Sequence, residues 1–400
     1  MQYTLALILL LFVISAVLRL DFYFYLLYAF FGVYFFSRLW AERALRGLVF
    51  ERNYTDRAFP GEHVTVTLRI RHRGWLPLPW LRVHESLPIE LHTPNFFRCV
   101  LSLWPREETV QRYDLECRRR GYYPLGPLLV SAGDLFGVRS SDRRLERDDA
   151  LTVYPRIVPL ADLGLPAQTP FGAVPVKQRI YEDPSRLLGV REYQSGDSLR
   201  HMHWKATAAT GALQVKRFEP AISIEAQILL NLDRRDYSTA RAITASELAV
   251  VTAASIAHYL VEGRQAVGLI TNGLDPLQSG AQMPLSLPAR KGRAHLMRLL
   301  DVLARAQVGE GTPFGAMLHE VGPRLTWGGT TIVIAPHVDD DLFDRLLAFK
   351  RRGFYIVLIV VDPRTPFDLI RRRARAAGIV AYQVWQERDL DVWRTRYANR

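Results

Sequence analysis

The chain opens on two apolar runs with one polar break between them. Met1 to Leu18 carries no charged side chain, Arg19, Leu20 and Asp21 interrupt, and Phe22 to Ser37 is again uncharged. Each run is slightly short of the ~20 residues that span a bilayer. Arg19 and Arg38 can snorkel to the interface and extend both. Ten of the fifteen residues Phe22–Phe36 are aromatic and no polar face exists, which speaks against a buried core hairpin. A cleaved signal peptide needs a basic leading region, which these residues lack. The pattern predicts a transmembrane helical hairpin over residues 1–40 with a tight outer turn.

From Gly61 the period changes to two. "HVTVTLRIRHRG" places Val64, Val66, Leu68 and Ile70 opposite Thr65, Thr67, Arg69 and Arg71, the mark of a half-buried strand. "WLPLPWLRVHESLP" is punctuated by proline and reads as a loop followed by an edge strand. Short strands follow at 97–104, 109–118, 127–132 and 150–154, a spacing that suggests a β-sandwich-like domain over 41–155. Residues 156–185 are rich in Pro, Gly and Ala and read as a linker; with the motif that follows they form a segment over 156–222.

Beyond residue 223, apolar strand-like runs alternate with helical stretches. The runs are Ile224–Asp233, Ala266–Asn272, Thr330–Pro336, Phe354–Asp362 and Ile379–Trp385. Helical patterns fall at 240–260, 291–306, 313–322, 339–351 and 366–376. That alternation predicts a doubly wound α/β domain over 223–400. The whole is an α+β multidomain chain behind a membrane hairpin.

Composition narrows the function. The apolar fraction of 49% and charged fraction of 23% are those of a folded protein. The net charge is +12, and only five of the 52 cations are lysine. Such a chain can approach anionic lipid or nucleic acid. The cations are scattered, densest at Arg371, Arg372, Arg373 and Arg375, with no helix-turn-helix, RNP or zinc-finger pattern, so nucleic acid is not an expected partner. Cys99 and Cys117 are too few for a zinc site and read as buried thiols. Arg38, Arg43 and Arg46 follow the second apolar run, whereas the turn holds one Arg and one Asp. The positive-inside rule then places both termini and everything after residue 38 in the cytoplasm. No glycine-rich phosphate loop opens a helix, and no cofactor is expected.

The most chemically loaded stretch is "VREYQSGDSLRHMHWKATAATGALQVKRFEP", Val190 to Pro220. "QSGD" reads as a turn with Asp197 as N-cap of a helix from Ser198 to about Thr210, which Gly211 ends before "ALQVKRFEP" resumes as a strand. His201 and His203, two apart on a helix, point about 200° from each other and cannot share a metal. Ser195 and Ser198 lack the G-x-S-x-G elbow of an esterase. Arg191, Arg200, Lys205 and Lys216 surround Asp197, Glu192 and Glu219, with Trp204 as an anchor or cation–π platform. A structural joint or docking surface suits these residues better than catalysis.

This stretch resembles the signature of the bacterial family called domain of unknown function 58. Arg191, Tyr193, Gly196, Asp197, Arg200, Trp204, Phe218 and Glu219 match in order. So do the two N-terminal helices, "RRGYYPLGP" (Arg119–Pro127), "GDLFGV" (Gly133–Val138) and "VYP" (Val153–Pro155). The resemblance implies that the C-terminal domain is von Willebrand factor A-like. It implies as partners a MoxR-type AAA+ ATPase and a membrane transglutaminase-like protein. Domains of that kind often hold Mg²⁺ through D-x-S-x-S, a carboxylate and two hydroxyls for a hard ion. Here, counting from Asp233, the serine positions are Arg235 and Tyr237, and a cation at a ligand position repels a metal. Asp233, Asp236 and Ser238 remain as a degenerate site with no metal expected.

The expected function is a non-catalytic scaffold or adaptor at the bacterial inner membrane, acting with that ATPase in assembly or maturation of client proteins. A competing reading is a hydrolase built on Asp197, His201 and His203, which requires them to converge in a cleft. A third is a module binding anionic lipid or nucleic acid through its arginines.

Overall fold

The computed structural model describes residues 12–13, 21–91, 97–133, 140–146, 149–160, 182–194, 202–220, 225–278, 284–326 and 329–392. The chain divides into two compact units, Met1–Arg156 with Leu303–Arg305, and Ile157–Val302 with Ala306–Arg400.

The first unit contains helix α1 (Asp21–Arg46), 26 residues long, which is about 39 Å at 1.5 Å per residue. It covers the second apolar run of the sequence; most of the first run and the break between them lie outside the described residues. Tyr25, Tyr28, Phe31, Phe35 and Phe36 are exposed along α1. Its C-terminal end is tied down: the Trp40 indole donates to the Pro77 carbonyl at 2.9 Å, and Leu45 is buried.

Among the described residues the strands that follow are β1 (Leu48–Asn53), β2 (Arg57–Ala58), β3 (His63–His72), β4 (Leu78–Glu85), β5 (Arg98–Leu103), β6 (Glu108–Glu116), β7 (Gly121–Pro124), β8 (Leu128–Gly133), β9 (Ser140–Leu145) and β10 (Ala150–Val153). They form three sheets, ordered β1-β3-β6, β2-β10-β7 and β5-β4-β8-β9. The alternation read in β3 is the burial observed: Val64, Val66, Leu68 and Ile70 are buried and the residues between them face outward. Leu68 and Ile70 pack against Leu81, Val83 and Val130 of the four-stranded sheet, while Val64 and Val66 pack with Leu151 and Val153 of the β2-β10-β7 sheet. The result is sandwich-like.

β4 is not the edge strand that its prolines suggested. It pairs with β5 on one side and β8 on the other. Pro79 falls where the β4–β5 register shifts, between Leu78 and Leu81, so the ladder loses nothing to its missing N–H. Inside this unit lies a charge lattice. The Arg52 guanidinium bonds the Glu85 and Asp149 carboxylates and the Leu125 carbonyl, and the Tyr113 hydroxyl donates to the second Glu85 oxygen. Burial pushes the Glu85 carboxyl above its ordinary value despite Arg52, and burial and Glu85 together push the Tyr113 hydroxyl up.

The second unit begins, in the described residues, with β11 (Glu182–Glu192), α2 (Trp204–Thr210) and β12 (Gln214–Pro220), the two strands antiparallel. Then come β13 (Glu225–Leu230), α3 (Ala242–Glu262), β14 (Ala266–Thr271), β15 (Leu285–Arg290), α4 (Arg293–Arg305), α5 (Phe314–Val321), β16 (Thr330–Ala335), α6 (Asp340–Arg351), β17 (Tyr355–Val360), α7 (Phe367–Ala376), β18 (Val380–Gln383) and α8 (Glu387–Val392). The sheet runs β15-β14-β13-β16-β17-β18, parallel except for β15. Counted from β13 this is the 3-2-1-4-5-6 order of a doubly wound sheet. Leu229, Val333 and Leu358 share one core with Met317 of α5, Leu346 of α6 and Ala374 of α7. Helix α3 stays outside that core and packs on β13, β14 and β16, so helices cover both faces. Its length and hydropathy suit a membrane span, but 72% of that window is buried in the protein, which makes it a core helix. The edge strand β15, with Pro288 inside it, was not read from the sequence.

Candidate functional site

Four parallel strands of this sheet end within two residues of a polar side chain. Asn231 follows β13, Asn272 follows β14, His337 follows β16 and Asp362 follows β17. Asn231, Asn272 and Asp362 are buried. The strand order reverses between β13 and β16, and the crevice at such a switch point is where open α/β sheets bind ligands.

The side chains here satisfy one another. Asn231 accepts from the Asp233 amide at 2.9 Å and donates to the Asp236 carboxylate at 2.7 Å. Asn272 accepts from the Leu232 amide at 2.8 Å and donates to the Thr312 carbonyl at 3.0 Å. Asp233 caps a short 3₁₀ turn over Arg234–Asp236 by accepting from the Arg235 amide. Both its oxygens also receive the Arg235 guanidinium, Nε at 2.8 Å and Nη2 at 2.7 Å. That bidentate bond and the Asp233 charge raise the Arg235 pKa above its ordinary value. The Tyr237 hydroxyl donates to the Asn231 carbonyl at 2.7 Å.

Asp362 closes the far side. One oxygen accepts from the Ser238 hydroxyl at 2.6 Å and the other from Arg241 at 3.4 Å. The Arg241 guanidinium lies 3.5 Å over the Trp385 ring. Arg364 donates to the Arg235 and Asp236 carbonyls at 3.2 and 3.1 Å, and His337 Nδ1 lies 2.7 Å from the Asp236 carbonyl. Two carboxylates, Asp233 and Asp362, thus meet the guanidiniums of Arg235 and Arg241, while Asn231 holds Asp236 and Arg364 ties down the loop's carbonyls. A satisfied lattice of this kind fixes loop shape.

Of the degenerate-site residues, Asp233, Asp236 and Ser238 share this loop but do not converge. Asp233 turns to Arg235, Asp236 to Asn231 and Ser238 to Asp362. The arginine at the first serine position fills both oxygens of the aspartate. Among the described residues no three His, Cys, Asp or Glu side chains gather as metal ligands do. The sequence reading missed Asn231, Asn272, His337, Arg241, Asp362 and Arg364. The signal was present for four of them: a polar residue within two positions of the end of a parallel strand.

In the motif segment, the helix is shorter than expected and has a different cap. It starts at Trp204, and His203 caps it, Nδ1 accepting from the Ala206 amide at 3.0 Å. Met202 is buried and bridges Val215, and the His203 amide donates to the Gln214 carbonyl at 2.8 Å. That pairing holds Met202 and His203 outside the helix, which therefore does not run on continuously from residues before Trp204. Gly196, Asp197, Arg200 and His201 lie outside the described residues, as do the side chains of Phe218 and Glu219. Gly211 ends the helix in a left-handed conformation, φ 69°, as its position predicted. Arg191, Trp204 and Lys205 are exposed, Trp204 at 69%, and Tyr193 is half-buried. His203, one member of the hydrolase reading, uses its Nδ1 as the cap acceptor.

Residues 189–366 match the family model described as "Protein of unknown function DUF58". The Bacillus subtilis (strain 168) "Uncharacterized protein YeaD" is 25% identical over 327 residues, 80% of this chain and 77% of its own length. Among solved structures, a von Willebrand factor type A protein from Catenulispora acidiphila is 11% identical over 45% of this chain and 42% of its own, TM-score 0.28. The CARDB domain of PF1109 from Pyrococcus furiosus is 15% identical over 26% of this chain and 91% of its own, TM-score 0.19.

Proposed function

We propose that this chain, whose residues 189–366 match the DUF58 family model, is a non-catalytic, membrane-anchored scaffold or adaptor. In this reading it works with a MoxR-type AAA+ ATPase in assembly or maturation of client proteins, and a membrane transglutaminase-like protein is a further partner. Helix α1 and the apolar run before it form the anchor in the bacterial inner membrane, and the chain after residue 38 stands in the cytoplasm. The observation that carries the reading is the closed lattice at the strand ends. Asp233, Asp236 and Asp362 are each held by a neighbouring side chain where a catalytic sheet would present reactive groups. The exposed aromatic residues of α1 support the anchor, because so continuous an apolar surface needs lipid or protein cover. Exposed Arg191, Trp204 and Lys205 supply the docking face, an aromatic flanked by cations of the type that dominates interfaces.

The test is affinity purification of the full-length protein from its own cells in mild detergent, beside a Trp204→Ala variant. Trp204 is exposed, so its removal costs no core packing. The expected result is a MoxR-type ATPase recovered with the wild type and lost with the variant. Recovery of no ATPase under any nucleotide condition overturns the adaptor reading.

A further inference from the structure

One end of the first unit carries two bare tryptophans beside the root of α1. We propose that this end is a lipid-docking surface: Trp75 and Trp104, framed by Arg43, Arg46, Arg73 and Arg106, seat the sandwich on anionic phospholipid headgroups. The proposal rests on α1 being the membrane anchor and adds a second contact to it.

Trp75 is 76% exposed and Trp104 is 70% exposed. Indole has an apolar body and one N–H donor, and it favours the headgroup level of a bilayer over water or hydrocarbon. The fold brings both rings to the place where α1 enters the sandwich. His72, the last residue of β3, is buried; its amide donates to the Glu107 carbonyl at 2.9 Å and its Nδ1 lies 3.1 Å from the Trp104 carbonyl. The loop holding Trp104 is thereby pinned to the end of β3. The next residue, Arg73, donates its amide to the Gly47 carbonyl at 2.7 Å, directly after α1. A Cβ on Gly47 would meet the Gly74 nitrogen at 2.7 Å, so the Trp75 loop lies flat on the helix root where only glycine fits. Two turns earlier on α1, Trp40 holds the Pro77 carbonyl.

The second loop is a tight turn with its cation outward. The Glu107 amide donates to the Trp104 carbonyl at 3.1 Å, and Arg106 sits at φ 65°, where glycine is the favoured residue. Glu107 folds back to accept the Trp104 amide at 2.6 Å, which spends the local anion inside the turn. Backbone strain held in place by such contacts marks functional loops. Arg43, Arg46, Arg73 and Arg106 are all exposed. A guanidinium fork matches phosphate oxygens bidentately, and the cytoplasmic leaflet is the anionic one. Charge and aromatic character therefore commit the surface to lipid rather than to an acidic protein, which would leave the indoles without their preferred level.

The experiment reconstitutes the full chain into vesicles of phosphatidylcholine alone or mixed with phosphatidylglycerol. It reads two quantities: flotation in high salt, and quenching of tryptophan fluorescence by lipids brominated near the headgroup. Wild type is compared with Trp75→Ala/Trp104→Ala and with Arg73→Glu/Arg106→Glu, all at exposed positions. We expect all three to float, quenching to fall by about half in the tryptophan variant, and the arginine variant to lose quenching only in the vesicles containing phosphatidylglycerol. If all three float and quenching is equal among them, the docking surface is overturned while the anchor stands. If the wild type fails to float, anchor and surface fall together.

Discussion

Arg52 in the sandwich and Arg235 in the α/β unit each answer a buried carboxylate, Glu85 and Asp233, but they do so on different terms. Arg52 is 3% exposed with Glu85 at 0%, and its carboxylate partners lie 33 and 97 residues away in sequence. Arg235 is 48% exposed and its partner is two residues away. The first pair joins sheets; it exists only once β1 and β4 and the segment before β10 have met. The second shapes one loop and stays in contact with water. A buried pair costs several kcal/mol per ion to desolvate and is tolerated only when fully partnered, whereas a half-exposed pair contributes little and can be altered at modest cost. The sandwich lattice is therefore structural, and the strand-end lattice is the one that can vary with function.

Removing one side of each pair is the harshest test of that contrast. Arg52→Ala leaves Glu85 buried beside Tyr113 with no cation, and we expect a loss of about 3–5 kcal/mol in urea unfolding of the first unit. Retention of nearly full stability would mean that water reaches Glu85 and that the lattice is not the joint described.

Arg235→Ala comes second in size. Asp233 keeps the Arg235 backbone amide and the loop keeps Asn231, so the expected loss is about 1–2 kcal/mol in the second unit's unfolding. Arg235→Lys should recover only part, because an ammonium lacks the fork that meets both Asp233 oxygens. A loss as large as that of Arg52→Ala would erase the distinction between the two lattices.

The same contrast separates what the sequence made legible from what it hid. β14, β16 and β17 are almost wholly apolar because the sheet is covered on both faces, and β13 ends on such a run after Glu225 and Gln227; runs of this kind are visible without partners. β3 showed its alternation for the opposite reason, one face buried and one exposed. β1, β7 and β9 were not seen; "LVFERN", "GYYP" and "SSDRRL" are short or charged and become strands only through neighbours. The start of α2 was misplaced because Asp197 is a better cap on paper than His203, and the pairing of Met202 with Val215 decided otherwise. At the strand ends Asp233 was legible from the motif, but Asp362, 124 residues beyond Ser238, is brought there by the sheet alone.

The smallest effect is a slope with pH rather than a loss. Burial is the largest influence on Glu85 and raises its carboxyl; Arg52 and Tyr113 lower it and Asp149 raises it further, leaving it above the ordinary value. A carboxyl that holds its proton more tightly folded than unfolded contributes stability below the unfolded pKa, about 4.3 for glutamate. That contribution is lost as pH rises through the higher folded value. Glu85→Gln removes this titration and leaves the other groups in place, so the stability of wild type minus that of the variant should fall as pH rises across that window and level off above it. Urea midpoints of both proteins measured through the window give the slope directly. A difference that grows with pH would mean that the Arg52 attraction outweighs burial, so that the sandwich joint is held by a charged pair and not by a carboxyl that keeps its proton.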